Sequence, residues 1–339
     1  MADYNQALGP LANFTYPSPR SNCKVWILAK PAASQTGEPH PKNGRLMAMA
    51  LKILGALPLP IAYGIGRAIG RILILLPNDM RRVTRINVDT CFPDRSPEWR
   101  KLLTQRSLRE TAITACEMGA VWCKPVATTL RRIRVVEGVE LIEQALSEGK
   151  GVVILAPHLG NWEVLGIYLA SRFPITNLYQ PPSQEAMHTL IHGARTRQEA
   201  KLAPTNRRGV IQIVKALRQG EVTGILPDQE PDRGSGGEFV PFFGKKALTA
   251  TLIPKLAREG NAVTVAGFCL RENGGYRVIF RAVHDGIRAK DLKTAAACMN
   301  RSIEHCILEC PEQYQWEYKR FKRRPKGEKS IYNPGRIQQ

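Results

Sequence analysis

Two side chains able to move a proton stand five residues apart in "GVVILAPHLGNWEVLGIYLA", residues 151 to 170. His158 ends an apolar strand-like run, and Glu163 opens an apolar helix-like one. A neutral imidazole can take the proton of an alcohol as it attacks a carbonyl, and a carboxylate on the other ring nitrogen fixes the tautomer and steadies the resulting cation. On a continuous helix, residues five apart point about 140° away from each other and would not meet. The pair is therefore expected to straddle a turn. Pro157 ends the strand, Gly160 and Asn161 redirect the chain, and Glu163 in the first helical turn folds back on the imidazole. No nucleophile from the chain is needed if the alcohol belongs to the substrate. Taken alone, the two residues also read as a strand-end histidine and a helix N-terminal carboxylate favoured by the dipole.

A second strand end carries Asp228 and Gln229, in "GILPDQEPDRGSGGEFVPFFG". Open α/β sheets bind substrates at the carboxyl ends of their strands, so both residues are expected near His158. Gly234, Gly236 and Gly237 suggest a mobile loop, since neither the G-x-G-x-x-G nor the Walker pattern is present. Phe239, Phe242 and Phe243 suit a core or the wall of an apolar pocket. In "HCILEC" Cys306 and Cys310 share a helix face beside His305, but without a second pair at ligand spacing no metal site is expected.

These residues need a scaffold, and the hydrophobic pattern supplies one. Apolar strands are expected near 133–136, 151–156, 175–179, 222–226, 262–270 and 276–283. Amphipathic helices are expected near 138–148, 162–172, 184–199, 208–219, 247–259 and 291–309, and a long one over 97–123 opens with Ser96 as cap and Pro97 in its first turn. "RENGGYR" at 271–277 reads as a hairpin turn. The alternation predicts an α/β fold with a mixed, mostly parallel central sheet and flanking helices.

Ahead of that domain, residues 1–44 are rich in Pro, Ser, Asn and Gly and read as a poorly ordered extension. Residues 45–77 are apolar, but Lys52, Arg67, Arg71, Pro58 and Pro60 interrupt them, and the longest uncharged run, Ile53 to Gly66, is shorter than the about 20 residues of a spanning helix. Two short helices associating with a membrane surface, or a core helix pair, fit this pattern. The expected acyclic order is then 78–325 for the main domain and 326–339 for a basic tail.

The chain of 339 residues carries 49 Lys and Arg against 29 Asp and Glu, a net charge of +20 that favours anionic partners: nucleic acid, an acidic carrier protein, phosphorylated substrates or an anionic membrane. No zinc-finger spacing, RNP-like aromatic run or helix-turn-helix supports nucleic acid, which is not expected as a partner. The eight scattered cysteines suit reduced thiols. The first 19 residues lack a positive charge and a continuous apolar core, so a secretory leader is not expected and the protein is placed on the cytoplasmic side.

"HLGNWE" resembles the H-x-x-x-x-D/E signature of the lysophospholipid acyltransferase superfamily. Together with "RINVDTCFPDRS", "RRGVIQIVKALRQGEVTGILPDQEP", "GEFVPFFGKKALTATLIPKLAREGNAV" and "PEQYQWEYKRFKRRP", it resembles the bacterial lipid A late acyltransferases over about residues 46–325. The extension is not part of that pattern. The resemblance implies transfer of an acyl chain from acyl carrier protein, as co-substrate and without any cofactor, to a hydroxyl of a phosphorylated glucosamine lipid of the Kdo-lipid IVA type. It implies a site on the cytoplasmic face of the inner membrane, His158 as base and Glu163 as its support.

Arg195 and Arg197, in "HGARTRQEAK", fall where the superfamily places a phosphate-binding arginine, and a guanidinium there would grip phosphate in bidentate fashion. A solvated helix face is the alternative for either. Asp228 and Gln229 would hydrogen-bond the acceptor or orient Arg195. The cations of "YKRFKRRPKGEK", interleaved with aromatic residues, would meet headgroups or the carrier. Other acceptors, such as a lysophospholipid, a phosphatidylinositol mannoside or a pigment, keep the same chemistry. A basic membrane- or nucleic-acid-binding protein without catalysis is the reading of a different class.

Overall fold

The computed structural model describes residues 41–333 and 335, apart from 233 and 273. The extension expected over 1–44 lies, up to residue 40, outside the described residues. Four helices come first. α1 (Pro41–Ala56) and α2 (Leu59–Leu75) are separated where Pro58 and Pro60 offer no amide to continue the helix. α3 (Asp79–Cys91) is capped by the Asn78 side chain, which accepts from the Arg81 amide. α4 (Pro97–Cys123) starts as expected, with the Ser96 hydroxyl accepting from the Trp99 amide.

α2 packs along α4, and two of its glycines make that approach possible. A Cβ at Gly66 would stand 2.7 Å from Ile113 Cα, and one at Gly70 would stand 2.8 Å from Arg109 Cα. The outer side of α2 leaves Ile61, Ile65, Ile69, Ile72 and Leu75 exposed. Among the described residues no single helix is long and apolar enough to cross a membrane, and α2 with α3 reaches that length only as a pair bent by 77°.

The rest of the chain alternates: α5 (Val126–Leu130), β1 (Ile133–Glu137), α6 (Glu140–Ser147), β2 (Val152–Leu155), α7 (Trp162–Arg172), β3 (Thr176–Tyr179), α8 (Glu185–Arg195), β4 (Lys201–Pro204), α9 (Arg207–Arg218), β5 (Val222–Ile225), β6 (Gly237–Phe242), β7 (Lys245–Ala250), α10 (Leu252–Glu259), β8 (Val263–Glu272), β9 (Gly275–Ala282) and α11 (Leu292–Glu309). The five-stranded sheet has the order β1-β9-β8-β2-β5, parallel throughout except for the β8-β9 hairpin. β3 and β4 pair in parallel, and a parallel bridge from Ile175 to Val222 sets them beside β5.

β2 is buried on both faces, as its unbroken apolar run requires. Val153 and Leu155 join Ile213, Leu256 and Ile303 in one core, while Val152 and Ile154 join Ile142 and Leu165 in the other. The sheet is thus covered by α9, α10 and α11 on one side and by α6 and α7 on the other.

Three expectations are corrected. The helix predicted over 247–259 is split: residues 245–250 form β7, paired antiparallel with β6 around Phe243 and Gly244, both at positive φ as a tight hairpin demands. The short β4 was hidden by the helix extended to 199, which ends at Arg195.

The third concerns the C-terminal end. Trp316 and Phe321 are core residues, and the Arg320 guanidinium is buried, donating to Leu248 O at 2.7 Å and Thr249 Oγ1 at 2.8 Å. Arg323 donates to Glu230 and Arg324 to Glu328 and the Lys246 carbonyl. These three cations hold the hairpin and the β5 loop, and a role for them at headgroups or a carrier is withdrawn. Tyr332 is buried and donates to Asn87 Oδ1 at 2.5 Å, so the folded body runs past the boundary expected at 325.

Candidate active site

His158 and Asp228 leave the carboxyl ends of the adjacent parallel strands β2 and β5, whose register pairs Leu155 with Ile225. They meet directly. His158 Nδ1 lies 2.8 Å from Asp228 Oδ1, and the His158 amide donates to Asp228 Oδ2 at 2.9 Å. Tyr314 is buried beside it, and burial together with the Asp228 charge pushes the Tyr314 hydroxyl up. Burial pushes the Asp228 carboxyl up, but the charge of His158 and the hydrogen bonds from that residue outweigh it and hold the group below its usual range. An ionised Asp228 accepts from Nδ1–H, which leaves Nε2 with its lone pair free to act as base. Gln229 Nε2 faces that nitrogen at 3.3 Å, and the Trp162 ring meets the imidazole edge-on with centroids 4.9 Å apart.

The carboxylate expected on His158 was Glu163, and here the structure differs. Glu163 lies in the first turn of α7, as expected, but its carboxylate is gripped by Arg195, whose Nε donates at 3.3 Å and whose second nitrogen donates to the other oxygen. The two acids have exchanged the tasks assigned to them: Asp228 takes the imidazole and Glu163 takes Arg195. The reason is topological, because Asp228 arrives from the neighbouring strand, a contact that spacing within one segment does not reveal. Arg195 also lies over the Tyr179 ring at 5.6 Å.

Arg197 is not at this site. Its guanidinium donates to the carbonyls of Val121, Trp122 and Lys124, where α4 ends with unsatisfied acceptors. It is a helix-end clamp, and the phosphate-binding role expected for it is withdrawn.

The loop between β2 and α7 is fixed from behind. Gly160 has φ +63°, and a Cβ there would stand 2.0 Å from the Cys269 carbonyl oxygen, so the turn admits only glycine. Asn161 caps α7 by accepting from the Val164 amide, and its Nδ2 donates to Glu117 Oε2 at 2.7 Å. Glu117, buried in α4, also receives the hydroxyls of Tyr63 at 2.5 Å and Tyr276 at 2.8 Å and the Arg271 guanidinium at 3.1 Å. Burial pushes its carboxyl up, and Arg271 with these donors more than reverses that, leaving it below the usual range. The C-terminal segment closes the loop from the other side, where the Gly160 amide donates to Gln313 O and the Gln315 amide to His158 O, both at 3.0 Å.

Glu117, Tyr63, Arg271 and Tyr276 were not anticipated. They reach Asn161 and one another across up to 159 positions, and no local pattern announces such contacts. Phe242 and Phe243 pack in the core rather than on a pocket. An apolar cavity of 120 Å³ adjoins Glu163 and Arg195, walled by Trp122, Trp162, Gly166 and Leu226. Among the described residues no group of His, Cys, Asp and Glu is placed to hold a metal ion, and the seven described cysteines are free.

A histidine fixed by a buried acid at the carboxyl edge of an α/β sheet, beside a carboxylate–guanidinium pair and an apolar cavity, is an arrangement able to take a proton from a hydroxyl next to an apolar chain. The comparison with known proteins narrows the class. Residues 36–323 match the bacterial lipid A biosynthesis acyltransferase family, and the chain belongs to it. It is 31% identical over 280 residues, 81% of this chain and 90% of the relative, to the lipid A biosynthesis palmitoleoyltransferase of Escherichia coli K12. The lauroyltransferase of that organism is 28% identical over 81% of this chain and 90% of its own length. Its myristoyltransferase is 27% identical over 80% and 83%.

Proposed function

We propose that this acyltransferase moves a fatty acyl chain from acyl carrier protein to a hydroxyl of a phosphorylated glucosamine lipid, a Kdo-bearing lipid A precursor, at the cytoplasmic face of the inner membrane. The observation that carries the reading is the His158–Asp228 pair, which leaves Nε2 turned away from the acid at the strand ends, with the uncharged Gln229 amide against it. His158 Nε2 takes the proton of the acceptor hydroxyl as its oxygen attacks the thioester carbonyl. The tetrahedral adduct collapses, the C–S bond breaks, and the imidazolium returns the proton to the leaving thiolate, giving an ester and a free thiol. Asp228 stabilises the imidazolium throughout.

Gln229 occupies the position the hydroxyl must take and gives way to it. Arg195, held by Glu163, is the cation for the acceptor phosphate, and the cavity beside it receives apolar chain. The exposed isoleucines of α2, flanked by the exposed Arg67 and Arg71, support docking on an anionic bilayer surface. The relatives' names span lauroyl, myristoyl and palmitoleoyl donors, so the donor is best found with a panel.

The test is acyl transfer by membranes containing the protein, with a panel of acyl carrier protein thioesters and Kdo-bearing tetra-acyl precursor, read by mass spectrometry beside His158→Ala. A mass gain of one acyl chain that disappears in the variant supports the reading. Folded protein that yields no gain with any donor refutes it.

A further inference from the structure

The outer face of α9 is unpartnered. Its inner face, with Ile213, Ala216 and Leu217, is buried against the sheet. The opposite face exposes Arg207, Arg208, Ile211 and Lys215, which spacings of three, four and eight residues bring onto one side of the helix. Among the described residues none of these cations has an ion-pair or side-chain hydrogen-bond partner, and α9 itself holds no acid to offset them.

Two features set this face apart from an ordinary solvated one. Arg207 and Arg208 fill the first turn, where the helix dipole favours acids and disfavours cations. Ile211 is 59% exposed in the midst of the cations, an apolar centre inside a charged rim, which is the layout of a protein interface. The start of the helix is also fixed: Asn206 caps it by accepting from the Gly209 amide at 3.1 Å, and a Cβ at Gly209 would run into the Pro204 carbonyl at the end of β4. A surface held in this way loses little freedom when a partner binds.

The first turn of α9 lies at the edge of the sheet that holds His158. β2, β5, β3 and β4 run parallel in that order, through the β2–β5 pairing, the Ile175–Val222 bridge and the β3–β4 pairing. His158 follows β2 and α9 follows β4, so they leave the same carboxyl edge three strand spacings apart, about 14 Å. We propose that Arg207, Arg208 and Lys215 around Ile211 form the dock for an acidic protein face, that of the carrier holding the acyl thioester, whose pantetheine arm then crosses the strand ends to His158. A bilayer is the poorer fit, because one exposed isoleucine offers little apolar area to insert, whereas α2 exposes a whole row. Cations beside the carrier's path also speed its encounter with the site.

The proposal rests on the reading that a carrier protein brings the donor, and its test separates the two. Arg207→Glu combined with Arg208→Glu reverses the rim and puts acids where the dipole prefers them, so the fold should hold, as thermal melting checks. Full-length protein in membranes is assayed with saturating acceptor and two donors: an acyl carrier protein thioester, and the N-acetylcysteamine thioester of the same chain, which brings no protein. KM for the carrier thioester should rise about ten- to 100-fold in the variant with kcat unchanged, while rates with the small thioester stay within about two-fold. Raising salt from about 50 to 300 mM should weaken the carrier's KM in wild type and barely move it in the variant.

An unchanged KM for the carrier overturns the proposal, and so does an equal loss with both donors, which would make α9 a support of the fold or the site. Loss of binding to phosphatidylglycerol vesicles with an unchanged carrier KM gives the face to the bilayer and overturns it too. If wild type transfers nothing to the lipid A precursor, binding of the carrier thioester alone, read by biolayer interferometry, decides. Weaker binding by the variant then sustains the dock and refutes only the lipid A reading, whereas equal binding refutes the dock.

Discussion

Replacing Asp228 with Asn separates the two carboxylates that compete for His158. The substitution keeps shape and removes charge from a group that is 2% exposed and accepts the His158 amide at 2.9 Å and Nδ1–H at 2.8 Å. With one donor on each oxygen, an Asn must turn its own amide N–H towards one of them. Either a hydrogen bond is lost or the imidazole rotates into the wrong tautomer. A charge-assisted hydrogen bond and the stabilisation of an imidazolium are together worth about 3–4 kcal/mol in a buried site, which at about 1.4 kcal/mol per factor of ten is a loss of roughly 100- to 1000-fold in kcat.

KM should stay within about three-fold, because Asp228 faces the base and not the acceptor. Glu163→Gln gives the contrast: its partner is Arg195, so the KM for a phosphorylated acceptor should rise by about ten-fold while kcat falls far less. The assay is steady-state transfer from one acyl thioester with phosphorylated acceptor, accompanied by circular dichroism to establish folding. If Glu163→Gln loses kcat as deeply as Asp228→Asn with KM unchanged, the imidazole is supported by Glu163 and the exchange of partners argued above is wrong.

Three further outcomes follow from named contacts. Arg195→Ala should raise KM for phosphorylated acceptor by about ten- to 100-fold and leave a dephosphorylated analogue unaffected, which steady-state kinetics on the two acceptors would show. Arg197→Ala should cost about 1–3 kcal/mol in urea unfolding by orphaning the carbonyls that end α4, with activity per folded molecule retained; loss of phosphate recognition instead would return Arg197 to the site. Glu117 is held below its ordinary range in the folded protein, so its stabilisation is present above the ordinary carboxyl range and is lost as pH falls through its lowered value. Glu117→Gln should therefore destabilise at neutral pH by about 3 kcal/mol or more and shrink the difference in acid, checked by thermal melts from neutral to acid pH.

How much of this was legible in the sequence depends on how far each contact reaches along the chain. The strand-turn-helix around His158 was readable because Pro157, Gly160 and Asn161 act locally, and the main strands were readable because burial on both faces leaves a continuous apolar run. The hairpin of β6 and β7 was obscured because "FFGKKALTATL" carries residues that serve helix and strand alike, and the pairing partner decides between them. The partner of His158 was misjudged for a different reason. A motif shows which acid is near in sequence, whereas the acid that arrives, Asp228, is 70 positions away on the adjacent strand. The tail misled through its charge: Arg320 and Arg324 look solvated until the carbonyls of β7 are placed against them.

The Tyr63–Glu117–Asn161 chain bears on how this protein can be handled as a reagent. Trimming the chain ahead of residue 78 to free a soluble catalytic body would take Tyr63 from Glu117 and strip the cover from Ile113 and Ala120 on α4. The damage would arrive at the cap of α7, which presents Glu163, and at the loop that carries His158. The two leading helices are thus footing for the loop that carries His158. A soluble variant is better sought by repainting the outward isoleucines of α2, Ile61, Ile65, Ile69 and Ile72, with polar residues, leaving its glycines and Tyr63 where they are.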